Sequence, residues 1–321
     1  MISEKVKQTI KKFNLLQKGD KIIVGVSGGP DSVVLLYLLH KLSRQLRLSL
    51  YIAHLDHGLR KDAFKDRKFV EALGKKLGLP VIIHKVNLKT AIKKGSVEQS
   101  ARQARFEFLF SVAKKVNAKK IALGHNLDDQ AETVLMRILR GAGLYGLSAI
   151  LPKRKICGFE IIRPLIEIRR REIEAFLRKK KISACIDLSN QKDIYLRNKI
   201  RNRLFPLLEK EYNRKIKESL ANLAQSSALD YDYLNQAAER FMRRSGSRIM
   251  LKDFLKLHPA MQRLVLRLNI ARLKGDTRRI NFTHILEIED LVLLRPENSI
   301  VDLPKGISVI KKRGALVFFR R

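Results

Sequence analysis

Four short strings in this chain combine residue types suited to chemistry. The first, Ser27-Gly28-Gly29-Pro30-Asp31-Ser32, follows an apolar run and leads straight into Val33-Val34-Leu35-Leu36. Glycines let a backbone bend close to a ligand, and the N–H groups at a helix start carry the positive end of its dipole, so the string suits a phosphate or pyrophosphate. It is not a Walker A loop, having no Lys and an acid inside it, and the string itself holds no G-x-G-x-x-G. A plain strand-to-helix turn with an Asp cap is the simpler alternative. The second string, His54-Leu55-Asp56-His57-Gly58-Leu59-Arg60, has two histidines three apart but no third ligand near in sequence, so no permanent metal site is expected. In the third, Glu98, Arg102 and Arg105 share one helical face, which fits either a solvated ion-pair ladder or a site. The fourth, Gly124-His125-Asn126-Leu127-Asp128-Asp129-Gln130-Ala131-Glu132-Thr133, puts Asp129 and Glu132 three apart on one face. They would either complement a helix N-terminus or receive a cation.

Elements of alternating type must position these strings. Up to about residue 165, short apolar runs alternate with amphipathic stretches, the pattern of βαβ units feeding a parallel sheet. Strands are expected at Lys21–Val26, Leu48–His54, Val81–Lys85, Lys120–Gly124 and Phe159–Arg163, with helices at about 31–46, 63–78, 97–115 and 128–140. The capping-box spacing of Ser96 and Gln99 marks the start of the third helix. The fold class is therefore α/β, a parallel five-stranded sheet with helices on both faces. The first, second and fourth strings fall at strand ends, on the edge where ligands bind in open α/β sheets. Beyond Pro206, helical stretches at about 214–244, 260–273 and 282–294 precede β-branched and aromatic runs broken at Pro304-Lys305-Gly306 and Arg313-Gly314. This predicts two domains, 1–212 and 213–321, the second smaller and mainly helical with short terminal strands.

The 321 residues carry 67 Lys+Arg against 31 Asp+Glu, a net charge of +36. Such self-repulsion is tolerated chiefly opposite a polyanion, and nucleic acid is the first candidate; a generally basic proteome is the alternative. Residues 213–321 hold 22 basic residues against 11 acids, so both halves are positively charged. No run of 18 apolar residues and no secretory signal is present, so a cytoplasmic protein without membrane attachment is expected. Cys157 and Cys185 have no CxxC pattern, which argues against a zinc site, a cluster or a disulfide framework.

Ser27 to Ser32 resembles the PP-loop of ATP pyrophosphatases, which cleave ATP between the α and β phosphates. Together with His54–Arg60, Glu98–Arg105, Gly124–Thr133, Arg137 to Gly141, Arg163-Pro164-Leu165, Asp187–Asn190 and Tyr195–Arg201, it resembles one family in particular, the tRNA(Ile)-lysidine synthetases. The likeness is to a short form without an extra C-terminal domain. It implies a ligase that adenylates the first-anticodon-position cytidine of tRNA(Ile) with a CAU anticodon. Free L-lysine then attacks to form lysidine, with release of AMP and pyrophosphate. The implied cofactors are ATP and Mg2+, with Asp31 as metal ligand and Asp31, Asp129 and Glu132 as catalytic residues. Ser27, Gly28, Gly29, Pro30, Asp31, Ser32, His54, His57 and His125 would hold the nucleotide. Glu98, Arg102, Arg105, Asp129, Glu132, Arg137, Arg197, Asn198 and Arg201 would hold lysine and tRNA. A homodimer is left open. The alternatives are a PP-loop tRNA thiolase, disfavoured by the isolated cysteines, and a non-catalytic RNA-binding protein.

Overall fold

The computed structural model describes residues 1–56, 63–86, 97–185, 196–246, 248–276 and 280–321, the side chains of 63 and 97–99 excepted. His57, Gly58 to Arg60, the Ser96 cap, the Glu98 side chain, Asp187–Asn190 and Tyr195 fall outside what is described.

In chain order the first half runs α1 (Ile2–Lys12), β1 (Lys21–Gly25), α2 (Pro30–Leu46), β2 (Ser49–Asp56), α3 (Ala63–Leu77), β3 (Val81–Lys85), α4 (Val97–Lys115), β4 (Lys120–Ala122), α5 (Leu127–Ile138), α6 (Leu144–Leu147), β5 (Lys153–Ile156), β6 (Phe159–Ile162) and α7 (Arg170–Lys180). The sheet order is β3-β2-β1-β4-β6-β5. The first five in that order pair in parallel, as the alternating pattern predicts, and β5 adds an antiparallel edge through a hairpin with β6. The sequence reading missed β5 because Lys153-Arg154-Lys155 has no apolar alternation; an edge strand with exposed faces needs none. The charged helices α1 and α7 escaped it for a related reason, since each buries only a narrow stripe.

Burial is continuous from Ile22 to Val24 of β1 because both faces are covered. Ile22 and Val24 pack with Val33 to Leu39 of α2, with α1, α3 and α7, while Ile23 packs on the other face with Phe108, Leu109 and Val112 of α4. Pro30 opens α2 at a position where its missing N–H costs nothing, after Gly29 as N-cap. The chain leaves β1 toward β2 and β3 on one side and returns to β4 on the other, so the carboxyl ends of β1 and β4 flank the point where strand order reverses. A crevice opens there in any such sheet.

After α8 (Leu196–Lys199) comes a π-helical turn, Ile200–Leu204, then α9 (Phe205–Glu211) and α10 (Ile216–Ser245). The chain divides into two compact units, Met1–Ala228 and Leu229–Arg321, a division that falls inside α10. In the first unit Leu220 and Ala224 of α10 join Ala131, Val134, Ile200 and Phe205. The second unit contains the rest of α10, then β7 (Arg248–Met250), α11 (Leu251–Phe254), α12 (Pro259–Lys274), α13 (Phe282–Leu293), β8 (Ile300–Leu303), β9 (Ile307–Lys312) and β10 (Ala315–Arg320). Its sheet is antiparallel, β7-β10-β9-β8, in which β8, β9 and β10 are the terminal runs and β7 joins them from before α11. Val265, Ile285, Ile288, Val309 and Leu316 fill its core.

Candidate active site

The loop between β1 and α2 closes on itself. The Ser32 hydroxyl accepts from the Ser27 N–H at 3.1 Å and donates to the Gly29 carbonyl at 2.9 Å, and the Ser27 hydroxyl accepts from the Gly29 N–H at 3.3 Å. Gly28 has φ +90°, and a Cβ there would meet Cys185 Sγ at 3.2 Å, so both the conformation and the space require glycine. Burial pushes the Cys185 thiol up to about 12, with Asp66 adding to the effect, which leaves it a poor nucleophile. His54, at the end of β2, is 3% exposed. Its Nδ1 lies 2.8 Å from the Val26 carbonyl just before the loop, while its buried Nε2 has no hydrogen-bond partner.

The end of β4 is pressed against this loop. A Cβ on Gly124 would lie 3.0 Å from the Asp31 carbonyl carbon and 3.1 Å from the Ser32 nitrogen, so glycine alone lets the two strand ends approach. Two residues on, Asn126 caps α5, exchanging bonds with Asp129: its Oδ1 accepts from the Asp129 N–H at 3.0 Å, and Asp129 Oδ2 accepts from the Asn126 N–H at 3.1 Å. The Asn126 amide then donates to Asp31 Oδ1 at 2.9 Å, while Arg170 donates to Asp31 Oδ2 at 2.7 Å. The first and fourth strings thus meet through one buried asparagine. Burial lifts the Asp31 carboxyl to about 6, with Arg170 opposing and the Asp129 charge adding.

Glu132 is 1% exposed on the inward side of α5. Arg201 grips it with two bonds, of 2.6 and 3.0 Å, and Arg197 Nε lies 3.0 Å from its Oε2. Burial pushes Glu132 upward and the Arg201 fork opposes this. Arg201 also lies 3.6 Å from Asp129, and Arg197 donates to the Thr133 hydroxyl at 3.1 Å. Arg197 and Arg201, expected on substrate, therefore sit on a carboxylate of the same site, and Asn198 is buried between them in sequence. Asp128 faces elsewhere, accepting from the Arg170 N–H at 2.7 Å and pairing with Lys217 at 3.1 Å.

Beside these acids is a cationic side. Arg163 Nε donates to His125 Nδ1 at 3.3 Å, and its NH1 donates to the Leu151 carbonyl at 2.6 Å. Burial, then Arg163, Arg105, Arg102 and Arg197, hold His125 well below the usual histidine range, so it stays neutral. Burial pushes Arg163 down to about 10, with repulsion from Arg102 and Arg154. Burial and Arg102 likewise lower Arg105, whose Nε is buried without a hydrogen-bond partner. Arg137 donates to the Gly146 carbonyl, and Arg102 lies over the Phe106 ring at 5.6 Å. Sequence reasoning did not single out Asn126, Arg163 or Arg170 as functional. Asn126 and Arg163 stood inside its motifs, whereas Arg170 depends on the unpredicted helix α7.

The loop, the crevice and the acids together define a PP-loop protein, and residues 2–208 match the family model of the PP-loop domain. A U34-tRNA thiolase, NcsA, from Methanococcus maripaludis, solved with its [4Fe-4S] cluster, shares the fold, with a TM-score of 0.58 at 20% identity over 70% of this chain and 78% of that one. The tRNA(Ile)-lysidine synthase of Clostridioides difficile (strain 630) is 39% identical over 99% of this chain and 70% of its own length. That of Caldanaerobacter subterraneus subsp. tengcongensis is 39% identical over 99% and 69%, and that of Geobacter sulfurreducens 37% identical over 100% and 69%. The chain belongs to the tRNA(Ile)-lysidine synthase family.

Proposed function

We propose the following division of labour for the reaction of this family, an ATP-dependent ligation that forms a carbon–nitrogen bond. The cytidine is the first anticodon base of a tRNA(Ile) reading CAU. Its carbon-2 oxygen attacks the α-phosphorus of ATP, and pyrophosphate leaves. The ε-amine of free L-lysine then attacks carbon 2, the carbon–oxygen bond breaks, AMP leaves and the amine sheds a proton. Adenylation is needed because an amide-type oxygen is a poor leaving group until it carries phosphate.

The observation that carries this reading is the Asn126–Asp31 bond of 2.9 Å, which joins the phosphate loop to the acids of α5. Backbone N–H groups of Gly28 and of Ser32 in the first turn of α2, which the bonds within the loop do not use, hold the departing pyrophosphate. His54 and His125 border the nucleotide. Asp129, partly open, receives the lysine ammonium and takes the proton released on attack. Glu132 anchors Arg197 and Arg201, which position Asp129.

No three-ligand protein cage exists among the described residues. Mg2+ does not require one, since it binds through one or two carboxylates together with substrate phosphates and water. Asp31 and Asp129, close enough to raise the Asp31 pKa, fit that demand. When bound there, Mg2+ would neutralise charge developing on the phosphates. Among the described residues no helix is long and apolar enough to cross a membrane; a tRNA substrate supports a cytoplasmic location.

The test is release of pyrophosphate and AMP from ATP with a CAU-bearing isoleucine tRNA transcript, with and without lysine, followed by mass analysis of the anticodon nucleoside. Lysine-dependent AMP and a mass gain matching lysidine are expected. Pyrophosphate without a lysine adduct would overturn the assignment of the nucleophile.

A further inference from the structure

The phosphate loop lacks the lysine with which a Walker A loop meets phosphate charge. What it offers instead is modest: the N–H groups of Gly28 and Ser32 that its own bonds leave unused, and the positive end of α2, worth about half an elementary charge. Pyrophosphate carries several negative charges, so the loop alone leaves most of them unmatched. Among the described residues, the basic side chain bonded to this loop is Arg170, in the first turn of α7. Its NH1 donates to Asp31 Oδ2 at 2.7 Å, and Asp31 lies in the first turn of α2. Of the charges acting on Asp31, that of Arg170 is the strongest, and Arg201 acts less.

Arg170 is firmly based and loosely tipped. Asp128 accepts its backbone N–H at 2.7 Å, whereas its side chain is 37% exposed and otherwise bonds, among the described residues, only Glu174, at 3.2 Å. An ion pair so open to water is held weakly, and these bonds leave most of the guanidinium donors unused. Asp31 Oδ1 already accepts from Asn126, so a divalent cation on Asp31 and Arg170 would contend for Oδ2.

We infer that Arg170 is a catalytic residue of ATP cleavage, its guanidinium turning from Asp31 to the polyphosphate on the adjoining loop and staying on the pyrophosphate as that group leaves. In this step the cytidine oxygen bonds to the α-phosphorus, the bond from that phosphorus to the bridging oxygen breaks, and its electron pair goes to the pyrophosphate oxygen that Arg170 faces. The inference rests on the ATP-cleaving step of the ligase reading and supplies the cation that the loop sequence lacks. The rival role is a counter-ion that stays on Asp31, and the two differ in sign. Removing a counter-ion frees a carboxylate for Mg2+ and leaves magnesium pyrophosphate bound as well or better; removing a phosphate ligand weakens it.

The experiment is calorimetric titration of the full chain with magnesium pyrophosphate, ATP and AMP, alongside binding of a CAU anticodon stem-loop RNA. The variants are Arg170→Gln and, as a control that removes an exposed charge from the same turn, Arg171→Gln. Arg170→Gln is expected to weaken pyrophosphate and ATP about tenfold to a hundredfold, the worth of hydrogen bonds to a charged group. AMP and RNA affinities should not change, and Arg171→Gln should alter none of the four. Unchanged or tighter pyrophosphate binding in Arg170→Gln would make Arg170 a counter-ion. An equal loss in Arg171→Gln would make the effect one of net charge, and weakened RNA with unchanged pyrophosphate would move Arg170 to the tRNA; each overturns the inference. A second measurement needs no variant: mass mapping of arginines modified by phenylglyoxal should show Arg170 of the wild type protected by pyrophosphate but not by AMP, and modification unaffected by pyrophosphate would overturn the inference too. A wild type that binds pyrophosphate through Arg170 yet forms no lysidine would keep this role and remove the ligase reading instead.

Discussion

At the scale of the residue, Glu132 shows how one carboxylate organises its surroundings. Two guanidiniums reach it, and their side chains are 36% and 35% exposed while Glu132's is 2%. Removing the charge leaves both cations facing a neutral amide. Glu132→Gln is expected to cost about 2 kcal/mol in urea denaturation, less than the loss of a fully buried pair because the arginines keep contact with water. With Arg201 released, Asp129 loses its orientation, and the KM for lysine should rise about tenfold while that for ATP stays within twofold. Equal effects on both would separate Glu132 from the lysine side. His125 is held neutral by burial and by Arg163. Its folded pKa lies below its unfolded value, so as pH falls below about 6.5 only the unfolded chain takes the proton. The protein should therefore lose stability from this group on acidification, and denaturation curves of His125→Gln should fall less steeply between pH 6.5 and 5 than those of the wild type.

At the scale of the element, the site depends on β1 and β4 ending side by side, where strand order reverses. Gly124 is the contact that sets their separation, since any Cβ would press on the backbone of Asp31 and Ser32. Backbone cannot rotate away as a long side chain does. Gly124→Ala is expected to destabilise by about 1 to 3 kcal/mol, the usual cost of overpacking. It should also weaken ATP binding by more than tenfold, because α2 and its phosphate loop shift from the acids of α5. Calorimetry on the folded variant measures this, and unchanged ATP affinity would show the loop to be independent of β4.

At the scale of the whole molecule, a charge of +36 sets the physics of association more than that of folding. Both units are basic, so long-range attraction to RNA does not hinge on any one arginine. Affinity for full tRNA should fall linearly in log K against log salt, by about 10³-fold between 50 and 200 mM if at least six phosphates are neutralised. A flat dependence, measured by filter binding, would mean that the charge serves something other than tRNA.

The sequence by itself determined the parallel sheet, the phosphate loop and the acidic start of α5. Each is a local pattern: an apolar run buried on both faces, a glycine-rich turn into a helix, an N-cap with acids after it. It could not show which partners these residues would take. Arg197 and Arg201 look like free cations in a basic string, and only the packing of the turn Ile200–Leu204 beside α5 turns them onto Glu132. Likewise Arg170 meets Asp31 across 139 positions of sequence, on a helix whose charged surface hides its narrow apolar stripe. The meeting of Arg105 and Arg163 beside His125 joins α4, the residue after β6 and the segment after β4 in the same way. Local propensity reads spacing along the chain, whereas charge pairing and desolvation depend on distances that exist only after the sheet has closed its layers.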